Sequence, residues 1–243
     1  MQSDKVKPLV SVVMPAWNRS EYINNAIHSI VDQTFKDWEL IIVDDGSDDY
    51  EIKHHADSFK DERIRYVHTL HQGFVGARNY GNTLARGEYI MAQDSDDISL
   101  PDRIEKCLSF IGDHDADVVI HAMYVNVWSE VKECMSRIYL PVGEVSRERL
   151  LKEQYLPGMC MYKKSVWEKK PFRMETQFAY DWIMYLDWVF CFTVKTLDIG
   201  LYEYVRYANS ASMQFEKDGR RKESMKKIVE IMKKEYGQEA TPF

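Results

Sequence analysis

Residues 9–46, LVSVVMPAWNRSEYINNAIHSIVDQTFKDWELIIVDDG, decide the fold. Leu9 to Pro15 is an apolar, β-branched run closed by proline, which predicts a buried strand. Ser20 is a candidate N-cap, and behind it Tyr22, Ile23, Ala26, Ile27, Ile30 and Val31 recur at helical spacing. Trp38 to Gly46 is a second apolar run, and it ends in two carboxylates.

The same rhythm continues outward from this unit. A polar helical stretch leads to a third strand, Arg63 to Thr69, then to a glycine-bearing helix, GFVGARNYGNTLARG, and a fourth strand, EYIMAQ. PDRIEKCLSFIGDHD reads as a helix opened by Pro101, and ADVVIHAMYVNVW as a fifth strand. Strands alternating with helices of this length predict a doubly wound α/β sheet, mostly parallel, with helices on both faces. From about Ser129 the rhythm breaks. Residues 129–180 mix short apolar runs with LPVGE and YLPGM turns, and no order of elements emerges from them. Ala179 to Thr196 reads as one buried helix, with Asp187 inside it speaking against a membrane span, and IGLYEYVRY as a late strand. The tail, GRRKESMKKIVEIMKKEYG, reads as an amphipathic helix with Met225, Ile228, Val229 and Met232 on one face.

Composition bounds the function classes. The chain has 243 residues and a formal net charge of −7, so it lacks the Lys and Arg excess that a nucleic-acid duplex demands. Cys107, Cys134, Cys160 and Cys191 are scattered without metal-ligand spacing and are expected to be buried, reduced thiols of a cytoplasmic protein. The polar start MQSDKVKP leaves no signal-peptide core, and no apolar run reaches the roughly 18 residues of a membrane span.

The chemistry collects at strand ends. Strand one ends in Pro15-Ala16-Trp17-Asn18, strand two in Asp44-Asp45-Gly46-Ser47 and strand four in Asp94-Ser95-Asp96-Asp97. In a parallel α/β sheet these ends share one rim, where ligands bind. Three carboxylates separated by one serine repel one another unless a positive group joins them. Hard oxygen ligands suit Mg²⁺ or Mn²⁺, with a substrate phosphate completing the coordination. His68 and His71 straddle a strand end rather than a helix face, which makes a zinc site there a poor reading.

VSVVMPAWNRSEYINNAIHSIVDQTFKDWELIIVDDGSDD, followed by HQGFVGARNYGNTLARGEYIMAQDSDD, resembles the family 2 glycosyltransferases of the GT-A fold. The likeness runs from about Pro8 to Val125, and more weakly from Leu156 to Ser212. It implies a Rossmann-like sheet with a smaller C-terminal acceptor-side region: residues 1–128 binding the nucleotide-sugar donor, 129–215 facing the acceptor, and 216–243 forming the C-terminal helix. It implies that Pro15, Ala16 and Asn18 contact the nucleoside, and that Asp44, with Asp45 beside it, reads the base. Gly73, Arg78 and Asn79 fall in the segment that closes over the nucleotide. Asp94, followed by Ser95, would face the ribose and share a metal, Mn²⁺ or Mg²⁺, with Asp96, the metal ligand. Asp97 either orients that shell or caps the next turn. Arg206 lies where related enzymes approach the diphosphate, or makes a surface salt bridge.

Family 2 members resemble one another in inverting by a single displacement, with an aspartate of a Glu-Asp pair as base. Here the segment is Ala179-Tyr180-Asp181-Trp182, so Asp181 is retained and Tyr180 replaces the glutamate. A first-turn aspartate is also favoured by the helix dipole alone, which would lower its pKa and delay proton transfer. Tyr180 and Trp182 are acceptor-site candidates, with core packing the alternative for Trp182, and Asp187 is the rival carboxylate. The lack of a Q-x-x-R-W motif after Asp181 and of flanking membrane spans favours single addition to a glycan or lipid-linked glycan. Uridine is the first choice of donor base. Lys226, Lys227, Lys233 and Lys234 of the last helix offer a peripheral contact with an anionic membrane, unless that helix packs on the core. Two rivals remain: a sugar-nucleotide pyrophosphorylase, disfavoured because PAWNR stands where a glycine-rich loop belongs, and a GT-A domain that binds nucleotide-sugar or glycan without turnover.

Overall fold

The computed structural model describes residues 7–48, 50–129, 134–206 and 220–237. β1 (Val10–Ala16) is the strand around which the sheet grows, flanked in parallel by β2 (Trp38–Asp44) and β4 (Tyr89–Ala92), with β3 (Ile64–His68) parallel to β2. The crossovers are α1 (Ser20–Val31), α2 (Glu51–Ser58) and α3 (Phe74–Leu84). The short β5 (Ile98–Ser99) precedes α4 (Arg103–His114) and the long hairpin of β6 (Val118–Ser129) and β7 (Cys134–Leu140). Then follow α5 (Arg147–Leu150), β8 (Cys160–Lys163), α6 (Lys164–Lys169), α7 (Tyr180–Val189), β9 (Val194–Val205) and α8 (Arg220–Tyr236).

The sheet runs β3-β2-β1-β4-β8-β6-β9-β5, with β7 paired to the outer half of β6. β8 is antiparallel to both neighbours and stitches the four parallel strands to β6. The C-terminal half therefore extends the same sheet, and β6 itself crosses from residue 128 to 129.

Strand alternation assigns the helices to two faces. Val10, Val12, Met14, Leu40, Ile42 and Met91 pack with Ile23, Ile27 and Ile30 of α1 and Ile104, Cys107 and Ile111 of α4. Val13, Ile41, Val43 and Ile90 pack on the other face with α3, α7 and α8. Gly81 brings α3 onto that face: a Cβ there would lie 2.4 Å from Val13 Cγ1. The glycine is required by this contact.

Three expectations change. α1 begins at Ser20 itself, with Arg19 in the cap position and no side-chain cap bond, because the Arg19 carbonyl takes both Tyr22 N–H and Ile23 N–H. The helix from Ala179 ends at Val189, and Val194–Thr196 instead pair with Val118–Ile120 as the start of β9, as suits β-branched residues. Cys107 and Cys160 are buried thiols, but Cys191 is exposed, and the Cys134 side chain lies outside the described residues.

The apolar stripe of α8 is covered. Ile228 and Met232 are fully buried in the core, Met225 and Val229 pack beside them, and Lys226, Lys227, Lys233 and Lys234 point outward. Among the described residues no helix is long and apolar enough to cross a membrane.

Candidate active site

Because β1, β2 and β4 are parallel neighbours, their carboxyl ends form the single rim expected from sequence. Pro15 and Ala16 are buried at the end of β1, so they shape the rim rather than project from it. Asn18 takes a left-handed backbone (φ 51°), which asparagine tolerates better than most residues. From there its N–H donates to Ser47 Oγ (3.0 Å), its Nδ2 to Asp48 Oδ2 (2.8 Å), and its Oδ1 accepts from Asp48 N–H (3.0 Å). Asn18 thus locks the loop after β1 to the loop after β2. Trp17, half exposed, stacks on His71 with ring centroids 4.4 Å apart. Sequence reasoning placed Trp17 at a strand end and His71 in a poor zinc reading, but it did not pair the two rings.

Asp44 and Asp45 are buried and accept hydrogen bonds from protein donors. Asp44 accepts from Ser47 N–H (2.9 Å), Tyr66 O–H (2.6 Å) and His68 Nδ1 (3.2 Å). Burial pushes its carboxyl up, but the Ser47, Tyr66 and His68 hydrogen bonds outweigh this and hold it below the usual range. Asp45 accepts from Gln72 N–H (2.8 Å) and Gly73 N–H (2.9 Å), and there burial prevails and raises it. Its task is to pin the entry to α3, where Gly73 adopts φ 83°. His68 and His71 therefore each serve one aspartate.

α3 brings Arg78 under the rim. The side chain is fully buried, its Nη2 donates to Asp94 Oδ1 (2.5 Å), and the guanidinium lies 4.7 Å from the Phe74 ring centroid. Its Nε and Nη1 have no partner among the described residues. Buried donors are rarely left unmatched, so this guanidinium asks for anionic oxygens. Asn79, expected beside it in the closing segment, is instead spent on structure: it bonds the Phe172 backbone on both sides and accepts from Trp167 Nε1 (2.8 Å).

The positive groups among the acids are now identifiable. Arg78 serves Asp94, and Arg19 Nε lies 3.6 Å from Asp96 Oδ2. Arg103 is wholly buried behind the loop, donating to Ala92 O (2.8 Å), Ser99 Oγ (2.8 Å), Gln93 Oε1 (3.0 Å) and His121 Nε2 (2.9 Å). Gln93 then holds the turn by donating to the carbonyls of Asp94 and Asp97 (3.0 Å each). Burial and the Arg103 charge depress His121 to about 3, so it is a neutral acceptor at Nε2. Burial and the Asp94 charge, opposed by Arg19, raise Asp96 to about 6. Asp97 is buried, with Oδ1 accepting from Val205 N–H (2.8 Å), so it ties the end of β9, and hence Arg206, to the rim. Ser95 is buried within the same turn. No group of three or more His, Cys, Asp or Glu side chains is placed to hold a metal among the described residues. Asp94 and Asp96, partly exposed and mutually repelling, nevertheless fit a hard cation completed by ligand oxygens.

Asp181 lies in the first turn of α7, behind Tyr180 and a cap residue, Ala179, in a left-handed conformation (φ 53°). Tyr180 packs on Phe74 and Phe172, with centroids 5.3 and 5.8 Å away, which places it between α7 and the Arg78 helix. Burial raises the Asp181 carboxyl to about 6, against hydrogen bonds from Trp182 N–H and Gln154. The low pKa expected from the helix dipole is thus overturned by desolvation. Trp182 is 1% exposed and donates from Nε1 to Leu150 O (2.6 Å), so it belongs to the core and does not wall an acceptor site. Asp187 is held by Arg173 through two bonds of 2.7 Å and by Tyr236 O–H (2.7 Å), which confirms it as structural.

Residues 11–188 match the family model described as glycosyl transferase family 2, and the chain belongs to that family. It is 36% identical over 138 residues to a putative colanic acid biosynthesis glycosyl transferase, WcaA, of Escherichia coli K12, covering 56% of this chain and 47% of that protein. The chain thus spans about half the length of this relative. Its fold is the GT-A fold. Similar structures include residues 1–349 of Staphylococcus aureus TarS in complex with UDP-GlcNAc (TM-score 0.69, 19% identity, 84% of this chain and 60% of that one). Another is the mannosyltransferase PcManGT of Pyrobaculum calidifontis with GDP-Man and Mn²⁺ (TM-score 0.65, 17% identity, 89% and 61%).

Proposed function

We propose that this protein moves one sugar from a nucleoside diphosphate donor to a hydroxyl of a glycan or lipid-linked glycan, with inversion, using Asp181 as base. The observation that carries this reading is the buried Arg78 guanidinium, paired with Asp94 and with two nitrogens still to be matched. Donor phosphate oxygens would meet this positive charge through the partly exposed Asp94 edge of the rim and a bound cation, and Arg206, just beyond β9, adds to the same charge. Trp17 and His71 supply a flat aromatic surface for the base beside the loops that Asn18, Asp44 and Asp45 fix. Asp94 and Asp96 would hold Mn²⁺ or Mg²⁺, which when bound neutralises charge on the departing diphosphate.

In the displacement, the acceptor oxygen forms its bond to the anomeric carbon as its proton passes to Asp181. The bond from that carbon to the phosphate oxygen breaks, and its electron pair leaves with the diphosphate. A carboxyl near pKa 6 is well matched to taking a proton at neutral pH. Residues up to 128 form the donor side and 129–215 the acceptor side, with α8 as a closing helix. Since the apolar stripe of α8 is buried, any contact with an anionic membrane in the cytoplasm rests on its exposed lysines alone.

Calorimetry with UDP, GDP, TDP and CMP, each with Mn²⁺ and with excess EDTA, tests the donor site. One diphosphate binding in the micromolar range only with metal supports it, with uridine the first base to try because a TarS structure contains UDP-GlcNAc. Equal binding with EDTA overturns the metal role, and no binding overturns the donor site. Binding that persists in a protein unable to release diphosphate from any sugar donor would mark a binding module.

A further inference from the structure

The segment that resisted reading, residues 150–158, lies against the base. α7 holds it through one side of the helix: Trp182 Nε1 donates to Leu150 O (2.6 Å) and, one turn on, Tyr185 O–H donates to Pro157 O (2.8 Å). Between these anchors Gln154 Nε2 donates to Asp181 Oδ1 (2.7 Å), and the same oxygen accepts from Trp182 N–H (3.0 Å). Oδ2 receives no hydrogen bond from another described residue. It faces Gly158, where an added Cβ would stand only 3.1 Å away.

We infer that Gln154 and Gly158 are positioning residues for Asp181: Gln154 occupies Oδ1 and fixes the carboxylate plane, and the missing side chain at 158 keeps Oδ2 open as the atom that receives the acceptor proton. This rests on the reading of Asp181 as base. The proton leaves the acceptor oxygen for Oδ2, while Oδ1 keeps both donors before and after transfer. An amide N–H favours the ionised carboxylate, so Gln154 also offsets part of the burial that disfavours it. The titratable groups around this carboxyl are few. Asp94, two residues past the end of β4 and paired with Arg78, adds to its elevation. Cys160 on β8, and Tyr180 and Tyr185 on α7, are held above their ordinary values by burial and stay neutral near pH 6.

Protein labelled with [¹³Cγ]aspartate reads the carboxyl directly, the Asp181 resonance being the one lost in Asp181→Asn. The expected result is a titration near pH 6 that moves up by about one unit in Gln154→Leu and further in Gln154→Glu, whose carboxylate would repel Asp181 in place of donating to it. In parallel, Mn²⁺-dependent release of UDP or GDP from UDP-GlcNAc, UDP-glucose and GDP-mannose is followed against pH. Gln154→Leu should move the acid limb with the carboxyl and leave the donor KM unchanged. Gly158→Ala should lower kcat about tenfold or more, again at constant donor KM, with its thermal midpoint close to wild type. An unmoved titration in Gln154→Leu, or full kcat in Gly158→Ala, overturns the inference while leaving Asp181 as base. Full turnover in Asp181→Asn removes the base assignment itself. A Gln154→Leu protein that unfolds is replaced by Gln154→Met, which keeps the length and drops the donor.

Discussion

Asp181 shows how one side chain acquires a role from what surrounds it. Placed in the first turn of a helix, an aspartate would ordinarily gain from the dipole and ionise easily. Here burial wins and lifts it to about 6, the range in which a carboxylate is both ionised at neutral pH and basic enough to accept a proton. Since the base acts only when ionised, turnover should fall about tenfold per pH unit below 6 and level off above it. Asp181→Asn should lose about 10²–10⁴ of kcat while binding nucleotide as before, which a pH–rate profile and calorimetry on both proteins would check. Its neighbour Ala179 sits in a left-handed conformation that costs an L-residue about 1–2 kcal/mol. Ala179→Gly removes the Cβ that creates this cost but adds freedom to the unfolded chain. Stability is expected to rise by about 1 kcal/mol, or about 2–4 °C in Tm for a chain of this size. No change in Tm by calorimetric scanning would show the strain to be relieved elsewhere.

Individual elements explain which parts of the sequence were legible. β1, α1, β2, β4 and α4 were legible because their strands are largely apolar and their helices carry an amphipathic stripe, so the pattern is local; the two-residue β5 between β4 and α4 carries no such pattern and went unread. The rim followed from parallel pairing alone, and with it the placement of Asn18, Asp94 and Asp96 at strand ends, whereas Arg78, on α3, was singled out only by the family resemblance. Residues 129–180 were opaque because α5 and β8 are four residues each and their order is set by distant partners: Leu150 and Pro157 by α7, and Arg173 by Asp187 and Glu235. The same distance hid Gln154 and Gly158, and made a core Trp182 look like a candidate wall. A long-range contact also went unread at the opposite end of the sheet. Glu39, buried at the start of β2, accepts from Ser11 Oγ (2.7 Å), Arg86 N–H (2.8 Å) and Arg65 Nη1 (2.7 Å), joining β1, β2, β3 and the end of α3. Burial works against its ionisation, but these donors prevail and its pKa is lowered. Its stabilising contribution is therefore present above the unfolded glutamate pKa and lost as pH falls through the depressed folded value. Glu39→Gln should cost about 2 kcal/mol at pH 7, less than a fully buried pair because both arginines are partly exposed. The gap from wild type should narrow in urea melts below pH 4. Donor binding should be untouched, since Glu39 lies at the end of β2 remote from the rim.

Taken whole, the molecule concentrates its local conflicts at one edge of an otherwise consistent fold. Two faces of the sheet are closed by helices, each over its own apolar core, whereas the rim holds three neighbouring acids, a buried guanidinium with unmatched nitrogens among the described residues and a left-handed alanine nearby. Such departures from local consistency mark functional sites, where stability is surrendered for binding. The expectation that follows separates the rim from the fold. Removing one of the repelling carboxylates should leave the apo protein as stable or more so, while abolishing the stabilisation that ligands bring. At a nucleoside diphosphate and Mn²⁺ concentration of about 100 Kd, linkage adds about 2.7 kcal/mol to the native state, or about 5–10 °C in Tm for a domain of this length. Asp96→Asn should raise the apo Tm slightly, since burial and the Asp94 charge both disfavour the ionised Asp96. It should show no ligand-induced shift, and EDTA should make wild type behave the same way. A mutant whose apo Tm falls by several degrees would mean that Asp96 supports the fold and that its charge is balanced within the protein by Arg19, rather than reserved for a cation and the diphosphate it holds.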